Sequence, residues 1–344
     1  MYLYISVLLN YYIGILRKLS LYKLLNFFKL FVSFHVSRFT KKARLWGDPF
    51  FVSIEPTTSC NLRCPQCPSG LREFTRPTGM LMPAFFEPAL LQLKNHLHSL
   101  TFYFQGEPYL NPDFLDMVAF ANKQGIYTIT STNAHYLNEE NAKRTVLSKL
   151  DKLIISVDGI TQEVYEHYRV GGQLDKVLEG TREILKQKKL HRAKHPHVVW
   201  QFVAFKTNQH QVDAVKKLGK EMGVDEVKIK TAQIYDFENG NELIPDIDSL
   251  SRYRKNANGT FEIKNQLLNQ CWRMWQGCVI TWDGKVVPCC FDKDAHHRVG
   301  DLKTGSFQTI WHSEAYSQFR SAVLTGRSEI DICRNCSEGT RVWS

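Results

Sequence analysis

Three cysteines stand within eight residues of this chain, Cys60-Asn-Leu-Arg-Cys64-Pro-Gln-Cys67. Thiolates at spacings of four and three residues can wrap one face of a metal centre but do not complete a four-ligand shell. Four cysteines would make a closed structural or electron-transfer centre; three leave one position to something that is not protein, and metal-centred chemistry needs such a position. Six more cysteines, at 271, 278, 289, 290, 333 and 336, fall near the other end, and the stretch from 68 to 270 carries none. A disulfide-stapled secreted chain would spread its pairs through the fold. Two separated groups read instead as two metal sites in a reducing compartment, with zinc as the alternative that residue types alone leave open.

The elements that must position the triplet alternate regularly from residue 50 to about 235. Strand-like runs occur at Phe50–Ile54, Leu100–Phe104, Tyr127–Thr130, Leu153–Val157, Val198–Ala204 and Glu226–Lys230, with helical stretches near 84–98, 113–124, 138–149, 174–190 and 209–222. Gly106, Pro108, Gly125, Asp158-Gly159, Gly171-Gly172 and Gly223 punctuate them. Such alternation predicts a parallel sheet, and parallel α/β folds place their chemistry at the C-terminal ends of the strands. That rule selects the cysteine loop, Gln105-Gly106-Glu107-Pro108, Ser131-Thr132-Asn133, Ser156 and Asp158, Lys206, and Lys230 to Gln233.

The net charge of +10 is uneven. Residues 1–50 hold eight Lys or Arg and one acid, Asp48, a balance of +7 that leaves +3 for the rest. The main body therefore has no basic face for nucleic acid. Residues 1–16 are uncharged but interrupted by Asn10 and Gly14, too short to span a bilayer, and no secretory cleavage pattern follows. From Leu19 to Phe39 the polar residues Ser20, Lys23, Asn26, Lys29, Ser33 and Ser37 recur at helical steps, a narrow polar stripe on an otherwise apolar helix. Interfacial membrane contact suits such an arm; packing on the protein or a partner, and a true span, are the other readings.

The cysteine triplet after the first strand, with Gln-Gly-Glu-Pro after the second, resembles the radical S-adenosylmethionine (SAM) superfamily. The resemblance runs from about residue 50 to the end and implies an α/β fold, a partial (β/α)6 TIM-type barrel. It makes Cys60, Cys64 and Cys67 the ligands of a 4Fe–4S cluster whose fourth iron takes the amino and carboxylate groups of SAM. Gln105, Gly106, Glu107 and Pro108 are similar to the family's Gly-Gly-Glu-Pro motif, which meets the methionine amino group. Ser156 is similar to a strand-four residue that touches the ribose, and Arg169 to an arginine used near SAM. Gln66 departs from the family, where an aromatic residue near adenine is common. The implied reaction is reductive cleavage of SAM to a 5′-deoxyadenosyl radical, which takes a hydrogen from a substrate; a flavodoxin- or ferredoxin-type donor would supply the electron.

Cys271-x12-Gly284-x4-Cys289 resembles the opening of a SPASM/twitch extension. With Cys333-x2-Cys336 it implies one auxiliary 4Fe–4S cluster held by Cys271, Cys289, Cys333 and Cys336, assisting oxidation or substrate binding. Cys290 is an alternative to Cys289, since adjacent residues on a strand face opposite ways; Cys278 reads as a small core residue. His96, His98, His135, His296 and His297 read as surface or structural, Asp292 is a weak candidate acid or base, and no catalytic residue is assigned. The implied domains are a helical arm at 1–45, the barrel at 46–235, a linker at 236–264 and the auxiliary domain at 265–344. The expected location is cytoplasmic, with peripheral attachment through residues 1–45. No segment resembles a peptide-recognition winged helix-turn-helix, and the substrate is not named by the sequence, with a lipid-linked or envelope precursor one candidate that the arm suggests. The competing reading of the chain is a non-catalytic iron–sulfur electron carrier or binding protein docked at the membrane.

Overall fold

The computed structural model describes residues 13–339. A long helix, α1 (Leu21–Thr40), precedes six parallel strands that lie side by side in chain order. These are β1 (Phe51–Ile54), β2 (Ser99–Phe102), β3 (Tyr127–Thr132), β4 (Lys152–Ser156), β5 (His197–Ala204) and β6 (Glu226–Thr231). Helices α2 (Pro83–Leu91), α3 (Phe114–Lys123), α4 (Glu139–Leu147), α5 (Leu174–Leu190) and α6 (Val212–Met222) make the crossovers. Strands covered on both faces need continuous apolar runs, and Val198, Val199, Trp200 and Phe202 of β5 are all buried. Local signals set the helix ends. The Asn138 side chain accepts from the Asn141 amide at 2.9 Å, and Glu139 and Glu140 complement the dipole of α4. The predicted helix 84–98 ends at Leu91, beyond which turns at 92–96 close on i→i−3 bonds such as His96 N to Leu93 O.

The stretch 236–264 is structured. It carries the hairpin β7 (Tyr253–Lys255) and β8 (Phe261–Ile263) and buries Phe237, Leu243, Ile244 and Tyr253 in a small cluster of their own. Beyond it, β9 (Gly277–Ile280), β10 (Lys285–Val287) and β11 (Gly300–Asp301) join the barrel sheet at the free edge of β1, giving nine strands. β9 runs parallel to β1, with Val52 opposite Cys278, and β10 returns antiparallel through a turn at Gly284 (φ +92). Gly277 makes the seam possible, since a Cβ there would lie 1.7 Å from the Phe51 carbonyl oxygen.

A buried ion pair ties the barrel to this edge. Arg76 donates to both oxygens of Glu55, at 2.9 and 2.6 Å, and Trp282 N donates to the same carboxylate at 3.2 Å. Arg76→Ala leaves the Glu55 charge buried without its partner and is expected to cost about 3–5 kcal/mol in urea unfolding. A loss below about 1 kcal/mol, the worth of an exposed pair, would show that water reaches the site.

Helix α1 lies with its polar stripe inward. Lys23, Asn26, Ser33 and Ser37 are buried beside Leu30 and Phe34, whereas Lys29 is exposed. Phe34 meets Trp272 and Trp275 edge-on, so α1 packs under the segment that carries Cys271. Packing on the protein's own body, one of the readings of the arm, therefore describes this face. Residues 1–12, the greater part of the uncharged stretch 1–16, lie outside the described residues, and no helix among the described residues is long and apolar enough to cross a membrane.

Candidate functional site

The loop after β1 and the loop after β2 are built against each other. Gly106 has φ +75, and a Cβ there would lie 2.2 Å from the Thr57 carbonyl oxygen, so only glycine lets the second loop back onto the first. Glu107 N donates to Ser59 O at 2.8 Å, and Gly106 N donates to Ser69 Oγ at 2.9 Å. Ser69 in turn donates to Gln105 Oε1 at 3.2 Å. Together the two loops and the ends of β3 and β4 enclose a cavity of about 140 Å³. Cys60, Cys64 and Cys67 line it, with Gln105, Gly106, Glu107, Ser131, Thr132, Asn133, Ser156 and Arg169. Pro108, Lys206 and Lys230 to Gln233 do not. Pro108 instead opens a short 3-10 turn capped by the Glu107 side chain.

Two charged groups face this cavity. Glu107 accepts from Thr132 Oγ1 at 2.7 Å, Asn133 N at 2.8 Å and Tyr109 N at 3.3 Å, and burial pushes its carboxyl up to about 7. Arg169 donates from Nε to Asp158 at 2.5 Å and holds Nη1 3.7 Å from Cys64 Sγ. Asp158, whose Asp-Gly sequence reads as an ordinary turn, is fully buried and also accepts from Val203 N at 2.7 Å. It positions the arginine. Gln66 leaves the cavity and accepts from Tyr235 N at 2.9 Å, bridging the cysteine loop to the chain after β6. Asn61, which accepts from the Asn133 amide at 2.8 Å, has no sequence signal that would have singled it out.

The later cysteines form a second group. Cys271, Cys333 and Cys336 are buried; burial pushes the Cys271, Cys289 and Cys333 thiols up, and Cys336, which lies near all three, raises them further. Arg327 Nη2 approaches Cys336 Sγ at 3.4 Å and also donates to Glu338 O at 2.8 Å. This fully buried arginine supplies positive charge beside three potential thiolates, Cys271, Cys333 and Cys336, and nothing in its sequence context marks it. Cys289 packs against the apolar cluster that includes Cys271 and Trp272, while Cys290 packs against the cluster of Phe104, Val279 and Val287. Both line a cavity of about 100 Å³ that shares Tyr103 and Phe104 with the first. Cys278 is buried on β9, as a core residue would be. Asp292 accepts from His296 N and His297 N at 2.8 and 2.9 Å, so its carboxylate holds a turn. His98 stacks between Phe50 and Tyr127, and His135 accepts from Gln173 N at 2.8 Å.

Family models match both halves of this arrangement. Residues 54–200 match the radical SAM superfamily, and residues 271–337 match SPASM, an iron–sulfur cluster-binding domain. The chain carries a radical SAM domain followed by a SPASM domain. It is similar, at 25% identity over 320 residues, to the tungsten-containing aldehyde ferredoxin oxidoreductase cofactor-modifying protein of Pyrococcus furiosus, covering 83% of this chain and 87% of that protein. It is 26% identical over 320 residues to the PqqA peptide cyclase of Gluconobacter oxydans, covering 86% and 85%. In fold it resembles SuiB of Streptococcus suis bound to SAM, with a TM-score of 0.64 at 15% identity over 89% of this chain and 76% of that one. It also resembles anSMEcpe with bound SAM, with a TM-score of 0.60 at 17% identity over 84% and 85%. The radical SAM partial barrel with a C-terminal SPASM domain is thus the architecture of this chain, and a 4Fe–4S cluster for each part, with SAM, is its cofactor set.

The residues of this radical SAM protein fit those groups. Among the described residues no three His, Cys, Asp or Glu side chains converge as a single bound ion requires. Thiols set around a cavity suit a polynuclear cluster, whose irons lie apart, better than one zinc ion. The triplet cavity also offers an acid and a hydroxyl beside the thiols, the complement of an amine and a ribose.

Proposed function

We propose that the chain is a radical SAM enzyme that reductively cleaves SAM and abstracts hydrogen from a substrate held between its two cysteine groups. One observation carries this reading: the triplet and the later cysteines Cys278, Cys289 and Cys290 line neighbouring cavities that share Tyr103 and Phe104. When bound, cluster and SAM supply a low-potential electron and a 5′-deoxyadenosyl radical. The protein's part is to hold and enclose them. Cys60, Cys64 and Cys67 would hold three irons; Glu107, with Gln105 and Gly106, would receive the methionine amine; Ser156 would meet the ribose; Arg169, beside Cys64, would lie near SAM. An electron carrier has no use for this polar lining. Of the similar proteins one is named a cofactor-modifying protein and the other a peptide cyclase, and the second name favours a peptide as the substrate class. A flavodoxin- or ferredoxin-type donor fits the need for one electron.

For the auxiliary cluster the packing favours Cys271, Cys289, Cys333 and Cys336, because Cys289 joins the apolar cluster that holds Cys271 while Cys290 joins another. Anaerobic reconstitution is expected to load about eight irons per chain and to release 5′-deoxyadenosine from SAM under reduction. Cys289→Ala is expected to lower iron to about four while Cys290→Ala leaves it near eight; the reverse result would reassign the ligand. Iron without SAM cleavage would overturn the enzyme reading, and zinc without iron would overturn the cluster reading.

A further inference from the structure

Helix α1 is fixed in an unusual sense, with its polar residues inside. Lys23 Nζ donates to Gly125 O at 2.7 Å. The Asn26 side chain clamps the backbone of Asp48, donating to its carbonyl and accepting from its amide, both at 2.8 Å. Ser37 accepts from Arg44 N at 2.9 Å. Rolling the helix to hide its other side would break all of these bonds. What remains outside is Leu21, Leu24, Leu25 and Phe28, at the i, i+3, i+4 and i+7 positions of one continuous face. Leu21 is 73% exposed and Phe28 63%, and Phe39 extends the same side at 91%. A soluble surface rarely carries such a stripe without a partner.

The start of α1 adjoins a basic concavity. A cavity of about 410 Å³ lies where the arm meets the starts of the strands, lined by Arg17, Lys18, Lys149, Lys188 and Lys194, with Asp151 and Asp225 as its acids. Lys188 is paired with Asp225 at 2.8 Å. Arg17, Lys149 and Lys194 have no acidic partner among the described residues. A neighbouring hollow shares Arg17 and Lys18 and continues to Tyr22 on α1. Basic pocket and apolar stripe are therefore contiguous. Tyr127, Asp151 and His197 mark this as the end of the barrel opposite the cysteine loop.

We propose that this end docks on an anionic phospholipid surface. Leu21, Leu24, Leu25 and Phe28 enter the boundary between headgroups and acyl chains, and lipid phosphates meet Arg17, Lys149 and Lys194. Free cations beside an inserted apolar face match the two forces that hold an interfacial helix. The orientation has a consequence for substrate. The bilayer meets the end of the barrel away from the cavity mouth, so this contact holds the enzyme in place and does not deliver a lipid-linked substrate to it.

The full-length protein should co-sediment with phosphatidylglycerol–phosphatidylcholine vesicles and only weakly with phosphatidylcholine alone. Leu24→Glu with Phe28→Glu is expected to weaken binding at least about tenfold. The triple change Arg17→Glu, Lys149→Glu and Lys194→Glu is expected to weaken it about a hundredfold. Both variants should keep the wild-type circular dichroism spectrum and iron content, since none of these residues lies near the cysteine groups. No sedimentation of the wild type with anionic vesicles, or unchanged binding by the Leu24/Phe28 variant, would overturn the proposal. So would a wild-type dimer in ultracentrifugation that this variant dissociates, which would make the stripe a contact between copies.

Discussion

Cys64→Ala is expected to take 5′-deoxyadenosine formation below detection and to remove about four irons per chain, leaving the auxiliary group loaded. Cys64 is the most buried thiol of the triplet, and burial is the first cause that pushes its pKa up, with Arg169 acting against it. Burial likewise pushes Cys60 up to about 12. Such thiols are protonated until metal displaces the proton, so they bind by losing protons to the cluster rather than by waiting as thiolates. Two remaining thiolates do not hold the cluster on the side where the chain must leave an iron free. The fold itself should survive. Cys64 contributes little to the main core, which is assembled from the strands and helices of the barrel. Cys278→Ala, a change of similar size at a buried β9 position that lines the auxiliary cavity without being an assigned ligand, is the control and should keep all the iron. Iron and sulfide analysis with a product assay decides the matter: turnover by Cys64→Ala would remove the triplet from the reaction.

What was legible in the sequence follows from range. The strands β1 to β6 lie within two residues of their predicted bounds, because alternation of β-rich runs, turns and amphipathic helices is a local signal. The cysteine loop, Glu107, Ser156 and Arg169 share one cavity because a parallel sheet puts all its strand ends on one rim. Long-range pairing was not legible. Nothing in Gly277–Ile280 announces that it will extend the barrel sheet at β1. The stripe of Ser20, Lys23, Asn26, Lys29, Ser33 and Ser37 gave the period of α1 but not its facing, since all but Ser20 and Lys29 are buried. A polar stripe normally turns to water; here backbone groups at Gly125, Asp48 and Arg44 satisfy it inside. Arg327 was invisible for a related reason, since it reaches its thiol only after the last turn of the chain folds back.

The same contrast between local and assembled properties separates the two acids near the first site. Asp158 spends its carboxylate on Arg169 and Val203 N and acts through the arginine. Glu107 is held by three donors yet still faces the cavity, so it keeps the capacity to receive a cation.

Glu107→Gln is therefore expected to weaken SAM binding about tenfold to a hundredfold well above neutral pH, the worth of a hydrogen bond to a charged group, about 1.5–3 kcal/mol. The amine of SAM is cationic and needs the ionised carboxylate, while burial holds that carboxyl up at about 7 in the free site. As pH falls below about 7, the fraction ready to bind falls, and SAM affinity should drop about tenfold per pH unit in the wild type. The glutamine variant has no such proton and should bind with little pH dependence. Folding stability responds with the opposite sign. The folded chain keeps a proton on Glu107 that the unfolded chain releases near about 4.3, so this group's contribution to stability declines as pH rises from there to about 7. Glutamine also turns an N–H toward Thr132 or Asn133 N, which are donors to the carboxylate, and is expected to cost about 1–3 kcal/mol of stability. Calorimetric titration with SAM across this pH range, with iron content as the check on loading, separates the two effects. Equal pH dependence in wild type and Glu107→Gln would show that another group receives the amine.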